Sequence, residues 1–306
     1  MRYSGVGGQA VMEGIMMKNE DKYSVAVRKP DKEIEIKVED YNLGQKFKAI
    51  RKLPIFRGVF SFVDSLYLGM STLMYSASFF EEEEDADKEL SAEEESKKKK
   101  QEDALMAGTV VFSVVLAVAI FFALPYFLST LFQRFTSSIL VISLLEGIIR
   151  LVIFLAYIFL ISLTPDIKRV FMYHGAEHKC INCIEHGLEL NVENVRKSSK
   201  HHKRCGTSFL IIVMLISIIF FMFIRVDSKA LRLVLRLVLI PVIAGVSYEF
   251  IRLAGRYDNP VVDLLSKPGL WMQRITTKEP DDDMIEVGIA SVEAVFDWKA
   301  WQEEEV

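Results

Sequence analysis

Between Asp103 and Arg134 the chain carries no aspartate, glutamate, lysine or arginine. An uncharged apolar run of that length reads as a membrane-spanning helix, because about 20 such residues already cross the hydrocarbon layer. The stretch places the chain among integral membrane proteins and excludes a freely soluble enzyme. Composition agrees: 51% of the 306 residues are hydrophobic while 25% are charged, so the charges are segregated into segments of their own.

Four apolar runs lie at roughly 105–132, 138–163, 208–225 and 231–253. The links at 133–137 and 226–230 are long enough only for turns, which predicts two transmembrane hairpins, 104–163 and 208–254. Pro125 is expected to kink the first span. The polar segment 164–207 between the hairpins carries Lys168, Arg169, Lys179, Arg196, Lys197, Lys200, Lys203 and Arg204, whereas the opposite links hold only Arg134, Arg225 and Lys229. The positive-inside bias therefore assigns 164–207, the N-terminal region and the tail to the cytoplasm.

The expected fold is a mainly α membrane protein with four transmembrane helices in two hairpins. A small β-containing cytoplasmic domain precedes them and a helical tail follows. Residues 1–52 lack the apolar region of a signal peptide. Tyr23 to Arg28 and Glu33 to Val38 alternate around Lys29-Pro30-Asp31-Lys32, a β-hairpin pattern. Gly5, Gly7, Gly8 and Gly14 read as tight turns, since no Gly-Lys-Ser/Thr follows to make a phosphate loop.

In 53–80, Arg57, Ser61, Asp64, Ser65, Thr72 and Ser76 recur opposite Phe56, Phe60, Val63, Tyr67 and Met70, which predicts an interfacial or re-entrant amphipathic helix. A full span there would strand Lys46, Lys48, Arg51 and Lys52 on the outer side. Residues 81–103 are a charged low-complexity linker. In the tail, 255–306, Asp281-Asp282-Asp283 cap a helix with the apolar stripe Ile285, Ile289, Val292 and Phe296, expected to pack on the cytoplasmic face.

All five histidines and all three cysteines fall between His174 and Cys205. Within them, His174-Gly175-Ala176-Glu177-His178 matches H-x-x-E-H. On a helix, positions i and i+4 share a face, so the two imidazoles can hold one metal ion, as the inverted zincin pattern does, with Glu177 as general base toward a water. His202 and Cys205 are the best further ligands, and zinc is the expected ion. Cys180, Cys183 and Glu193 are weaker candidates, and Glu13, in a glycine-flanked block, is a remote one. A structural site made of His174, His178, His202 and Cys205 would leave the same trace. Inside the spans, Glu146 and Arg150 are one turn apart, while Arg232, Arg236, Glu249 and Arg252 lie on the last span. They are expected to form internal ion pairs, Glu146 with Arg150 and Glu249 with Arg252, rather than to line a cavity.

These blocks resemble the bacterial DUF1385 (YqhQ-like) family. The resemblance rests on Gly7-Gly8-Gln9-Ala10-Val11-Met12-Glu13-Gly14-Ile15-Met16-Met17, Tyr173-His174-Gly175-Ala176-Glu177-His178-Lys179, Val192-Glu193-Asn194-Val195-Arg196, His202-Lys203-Arg204-Cys205-Gly206-Thr207-Ser208 and Gln273-Arg274-Ile275-Thr276-Thr277-Lys278-Glu279-Pro280. Lys203 stands where the family usually has proline. The resemblance implies a bacterial cell-membrane protein with a metal-dependent activity, and His174, Glu177, His178, His202 and Cys205 as its site; it supplies no substrate.

The expectation is a membrane-anchored, zinc-dependent hydrolase acting on peptide or lipid-linked substrates. A non-catalytic scaffold with a structural metal and a protein partner is the alternative, and a small transporter component the third reading. Nucleic-acid binding is not expected, because the basic residues of 164–207 are interleaved with acids and lack stacking aromatics. The bilayer is the expected partner, and an oligomer remains open.

Overall fold

The computed structural model describes residues 2–41, 50–80, 92–224, 226, 228–255, 257 and 259–304. Four strands come first, β1 (Gly7–Val11), β2 (Gly14–Asn19), β3 (Lys22–Arg28) and β4 (Ile34–Asp40), followed by α1 (Phe56–Ala77) and α2 (Ala92–Val118). Then come α3 (Leu124–Thr130), α4 (Ile139–Ile161), α5 (Pro165–Glu185), α6 (Val192–Lys197) and α7 (Gly206–Met222). The last helices are α8 (Lys229–Ala254), α9 (Pro260–Thr276), α10 (Asp282–Glu293) and α11 (Trp298–Glu303). Of the expected linker, 81–91 lies outside the described residues, and from Ala92 the chain is helical.

The helices divide between two compact units. The first comprises Met1–Phe80, Ile158–Ser217 and Leu237–Val306. Its four strands form an antiparallel sheet in sequence order. The expected hairpin is β3–β4, with Arg28 opposite Ile34. Gly7 and Gly8 do not mark turns as expected but lie within β1, whereas Gly5 does use its freedom, at φ +77°. On one face of the sheet Ile15, Met17 and Ala26 pack against Tyr173, Ala176 and Cys180 of α5 and Ile285 and Val292 of α10. On the other face Met16, Val25 and Val27 meet Leu68 of α1. The tail stripe is thus packed against the sheet and α5, and Asp281 caps α10 by accepting from the Met284 N–H at 2.9 Å.

α1 is amphipathic with its sides reversed. Its small and polar residues Gly58, Thr72 and Ser76 are buried, whereas Phe56, Val63, Leu66, Tyr67 and Met70 are exposed. α9 shows the same inversion: Ser266, Gly269, Gln273 and Thr276 are buried, and Val261, Leu264, Leu265 and Trp271 are exposed. At the start of α1, Ile55 and Gly58 approach Gly245 of α8 closely. A Cβ on Gly245 would lie 2.6 Å from the Ile55 carbonyl oxygen, so the crossing depends on bare backbone.

The second unit comprises Glu81–Tyr157 and Ile218–Arg236. Pro125 lacks the N–H that would bond the Phe121 carbonyl in a regular helix. The chain answers with a π-turn over Ala119–Ala123, and Arg150 Nε donates to the Phe121 oxygen at 2.9 Å. The same guanidinium donates to Glu146 Oε1 at 2.7 Å, and Arg236 binds the other oxygen of that carboxylate. All three side chains are buried. The rings of Phe221 and Tyr126 cover the two guanidinium groups.

Among the described residues, three helical segments are long and apolar enough to cross a membrane: Ala107–Arg134, Ile139–Ile161 and Ala230–Ala254. The fourth expected span, 208–225, is corrected to a shorter apolar helix. α7 begins at Gly206 and ends at Met222 after 17 residues, which rise about 26 Å and fall short of a hydrocarbon layer of about 30 Å.

Candidate metal centre

Segment 164–207 is not an open loop. Pro165 at the first turn and Asp166 near the helix N-terminus start α5, which runs unbroken through the H-x-x-E-H motif. Gly175 does not interrupt it. A Cβ there would lie 2.0 Å from the Lys278 carbonyl oxygen, so the glycine admits the strand of chain that follows α9. That strand is tied down by the Lys278 N–H, which donates to the Phe171 carbonyl at 2.8 Å.

His174 and His178 lie one turn apart with ring centroids 4.4 Å from each other. His174 Nδ1 bonds the Thr276 carbonyl at 2.9 Å and His178 Nδ1 bonds the Lys200 carbonyl at 2.7 Å. A carbonyl can only accept, so both Nδ1 atoms carry a proton, and in the neutral rings both Nε2 atoms present lone pairs. This is the outer-shell arrangement that orients metal-binding imidazoles. Cys205 Sγ stands 3.2 Å from His174 Nε2. One ligand atom from each of His174, His178 and Cys205 falls within 4.8 Å of the others, so the cluster could hold a metal ion.

Burial opposes charge on all three, but their mutual attraction prevails. The neighbouring imidazoles hold the Cys205 thiol well below its ordinary range. The Cys205 sulfur and the Glu177 carboxylate lift His174, and raise His178 to about 9. The attraction favours a thiolate beside protonated imidazole, so holding a metal ion there would release the Nε2 protons. Glu177 Oε2 lies 3.5 Å from His178 Nε2 and 3.9 Å from His174 Nε2.

His202 is placed elsewhere. Its Nε2 faces Glu185 Oε2 at 3.4 Å, and its ring centroid is 5.8 Å from that of His178. Its backbone is clamped by Gln273, which accepts from the His202 N–H and donates to the His202 carbonyl. Cys180 packs in the core against Gly288, and Cys183 donates to the Glu189 carbonyl. Glu193 pairs with Lys197. Glu13 does not reach the cluster but binds Arg169 and accepts from Tyr173. Glu249 takes Arg57 of α1 as its close partner, with Arg252 at 3.9 Å, rather than Arg252 alone.

The residues that build the outer shell carried little sequence signal. Lys179 Nζ donates to the Arg196 and Ser198 carbonyls and Asn182 Nδ2 to those of Ser199 and His201, laying 196–202 along α5. Buried polar side chains inside an otherwise apolar helix face were the only available hint. The Gln273–Thr276 segment gave none beyond its place in a family block.

The sequence profile described as "Protein of unknown function (DUF1385)" matches residues 53–298. The chain belongs to that family. It is also 34% identical over 299 residues to "Uncharacterized protein YqhQ" of Bacillus subtilis (strain 168), an overlap covering 97% of this chain and 94% of that protein. No solved structure matches the chain. The DUF1385 match begins at 53, so it takes in α1, the cluster and α9 but not the four strands.

Proposed function

We propose that this DUF1385 protein is a multi-pass membrane hydrolase with its chemistry on the cytoplasmic side, using a divalent metal, most simply zinc, held by His174, His178 and Cys205. The observation that carries the reading is the convergence of two correctly tautomerised imidazoles and a thiolate beside a carboxylate, each fixed from outside by a backbone carbonyl or a neighbour. A metal bound there would polarise a water or a carbonyl and make neutral-pH hydrolysis accessible. Glu177 would accept the proton of the attacking water and return it to the leaving group. The three protein ligands leave a position for water, as catalytic zinc sites do.

The basic segment 164–207 supports a cytoplasmic cluster. The inverted α1 supports a re-entrant element. Its first turn packs on Gly245, nine residues short of the end of α8, which is about 14 Å along that helix. The apolar flank of α1 would then face lipid.

A structural site is the second reading. Glu177, at 3.5 and 3.9 Å from the two Nε2 atoms, is close enough to close the sphere as a fourth ligand. Metal analysis and X-ray absorption on protein purified without chelator separate the two. One zinc per chain with a water oxygen, retained in Glu177→Gln while activity is lost in a complementation assay, is expected for the hydrolase. Loss of the metal in Glu177→Gln would make the site structural, and metal-free protein would remove both readings.

A further inference from the structure

A cavity of about 970 Å³ opens beside the cluster. Residues 5–9 of the β1 segment form one side, Glu177 and Ile181 of α5 another, and Phe62 and Leu66 of α1 with Phe209 and Leu210 of α7 the apolar remainder. This volume is in the range of sites that enclose a ligand of several residues.

β1 is one of the two edge strands of the sheet. It pairs with β2 through Gly7↔Lys18, Gln9↔Met16 and Val11↔Gly14, closed by the two-residue turn Met12-Glu13. In such a ladder bonded and non-bonded pairs alternate, so Gly8 and Ala10 turn their N–H and C=O groups away from β2. The next residue of that parity confirms the direction: the Met12 N–H leaves the sheet and donates to Ser76 Oγ of α1 at 3.1 Å. Gly8 therefore offers an open donor and acceptor to the cavity. Glu177 lies beside that residue, over the sheet face, where a Cβ at Gly8 would stand 2.8 Å from Glu177 Cγ.

We propose that this cavity takes an extended, apolar peptide segment, which adds to the open edge of β1 at Gly8 and carries a main-chain carbonyl past Glu177 to the His174–His178–Cys205 cluster. This rests on the hydrolase reading and names its substrate class. Main-chain pairing to a sheet edge supplies affinity without demanding sequence, while the aromatic and aliphatic walls select apolar side chains. The reaction is hydrolysis of the amide. The water oxygen joins the carbonyl carbon, the C–N bond breaks, and the proton taken by Glu177 passes to the departing nitrogen. A lipid phosphate fits less well, because Arg51, Arg57 and Arg204 at the cavity are already held by Asp64, Glu249 and Glu185.

The test uses the full-length Glu177→Gln protein in detergent and a fluorescent decapeptide of alternating leucine and serine, whose two faces differ. Two isomers carry N-methyl groups on every amide of one edge or of the other. Anisotropy should show one isomer binding about tenfold more weakly than the parent and the other about equally, because only one edge meets β1. Ser65→Trp, which fills the cavity from α1, should remove binding while the melting temperature stays unchanged. Equal binding of both isomers, or no peptide binding by protein that retains its metal, overturns the pairing and leaves the metal reading intact. Displacement of the peptide by phosphatidate vesicles but not by unlabelled peptide also overturns it, in favour of lipid. Edge-selective binding by a metal-free preparation would support the pairing and remove the hydrolase reading.

Discussion

Gly175 lies directly beneath the carbonyl of Lys278, with room for a hydrogen and nothing larger: a Cβ would stand 2.0 Å from that oxygen. The contact joins the middle of the histidine motif to the segment whose Thr276 carbonyl orients His174. Gly175→Ala should therefore displace 276–280 and loosen His174. The expected cost is about 3 kcal/mol, the upper end for overpacking, with substoichiometric metal as its companion. Thermal unfolding in detergent and elemental analysis check it, with Gly108→Ala as control, since nothing lies within 4 Å of that position.

Alanine at His174, His178 or Cys205 should each abolish stoichiometric metal. Cys180→Ala should retain it, because that sulfur faces Gly288 in the core. His202→Ala should also retain metal while lowering stability, since its ring serves Glu185. Elemental analysis of the five proteins decides, and equal loss from Cys180→Ala would break the ligand assignment.

Glu185 sets an acid limit. Its burial favours the neutral form, but the His202 hydrogen bond and the Arg204 charge outweigh that and hold the carboxyl at about 2. A depressed folded-state value contributes stability that is complete above the unfolded value of about 4.3 and is lost as pH falls toward 2. Stability should therefore drop through that window, and Glu185→Gln should flatten the drop while costing about 3 kcal/mol at neutral pH. Chemical unfolding followed from pH 7 to pH 3 measures both.

In the second unit, Glu146 is the shared carboxylate of Arg150 and Arg236. Glu146→Gln leaves two buried guanidinium groups without it and should destabilise by about 3–5 kcal/mol. Adding Arg236→Met should recover part of that loss, which paired melting curves would show.

Cysteines placed at Val63 or Tyr67, on the exposed flank of α1, should be shielded from an impermeant maleimide in proteoliposomes and become reactive in short-chain detergent. A cysteine at Glu39, on the outer strand of the sheet, should react in both. Full reactivity at 63 and 67 in liposomes would place α1 in water.

The parts legible beforehand are those with local periodicity. Alternation around Lys29–Lys32 announced β3 and β4, and the H-x-x-E-H spacing announced one helical face with two imidazoles. Length arithmetic failed at α7, which starts at Gly206, two residues before the expected 208, but ends at Met222, three short of the expected 225. The glycines at 7 and 8 resembled turn residues because sequence does not reveal that Glu177 and a cavity approach that strand. The role of His202 was hidden for a similar reason: its partner Glu185 lies on another element, and both residue types suit a metal equally well.

The cluster depends on the Thr276 carbonyl, and the sheet depends on Ile285 and Val292 of α10 for its inner face. The chain is synthesised from its amino end, so the four strands emerge first and their core partners nearly last. In that interval the three long apolar helices are made while Ile15, Met17 and Ala26 lack their α10 partners. The sheet beside the cluster is thus made before the three long apolar helices and finished after them, and His174 gains its Thr276 partner only once α9 has followed.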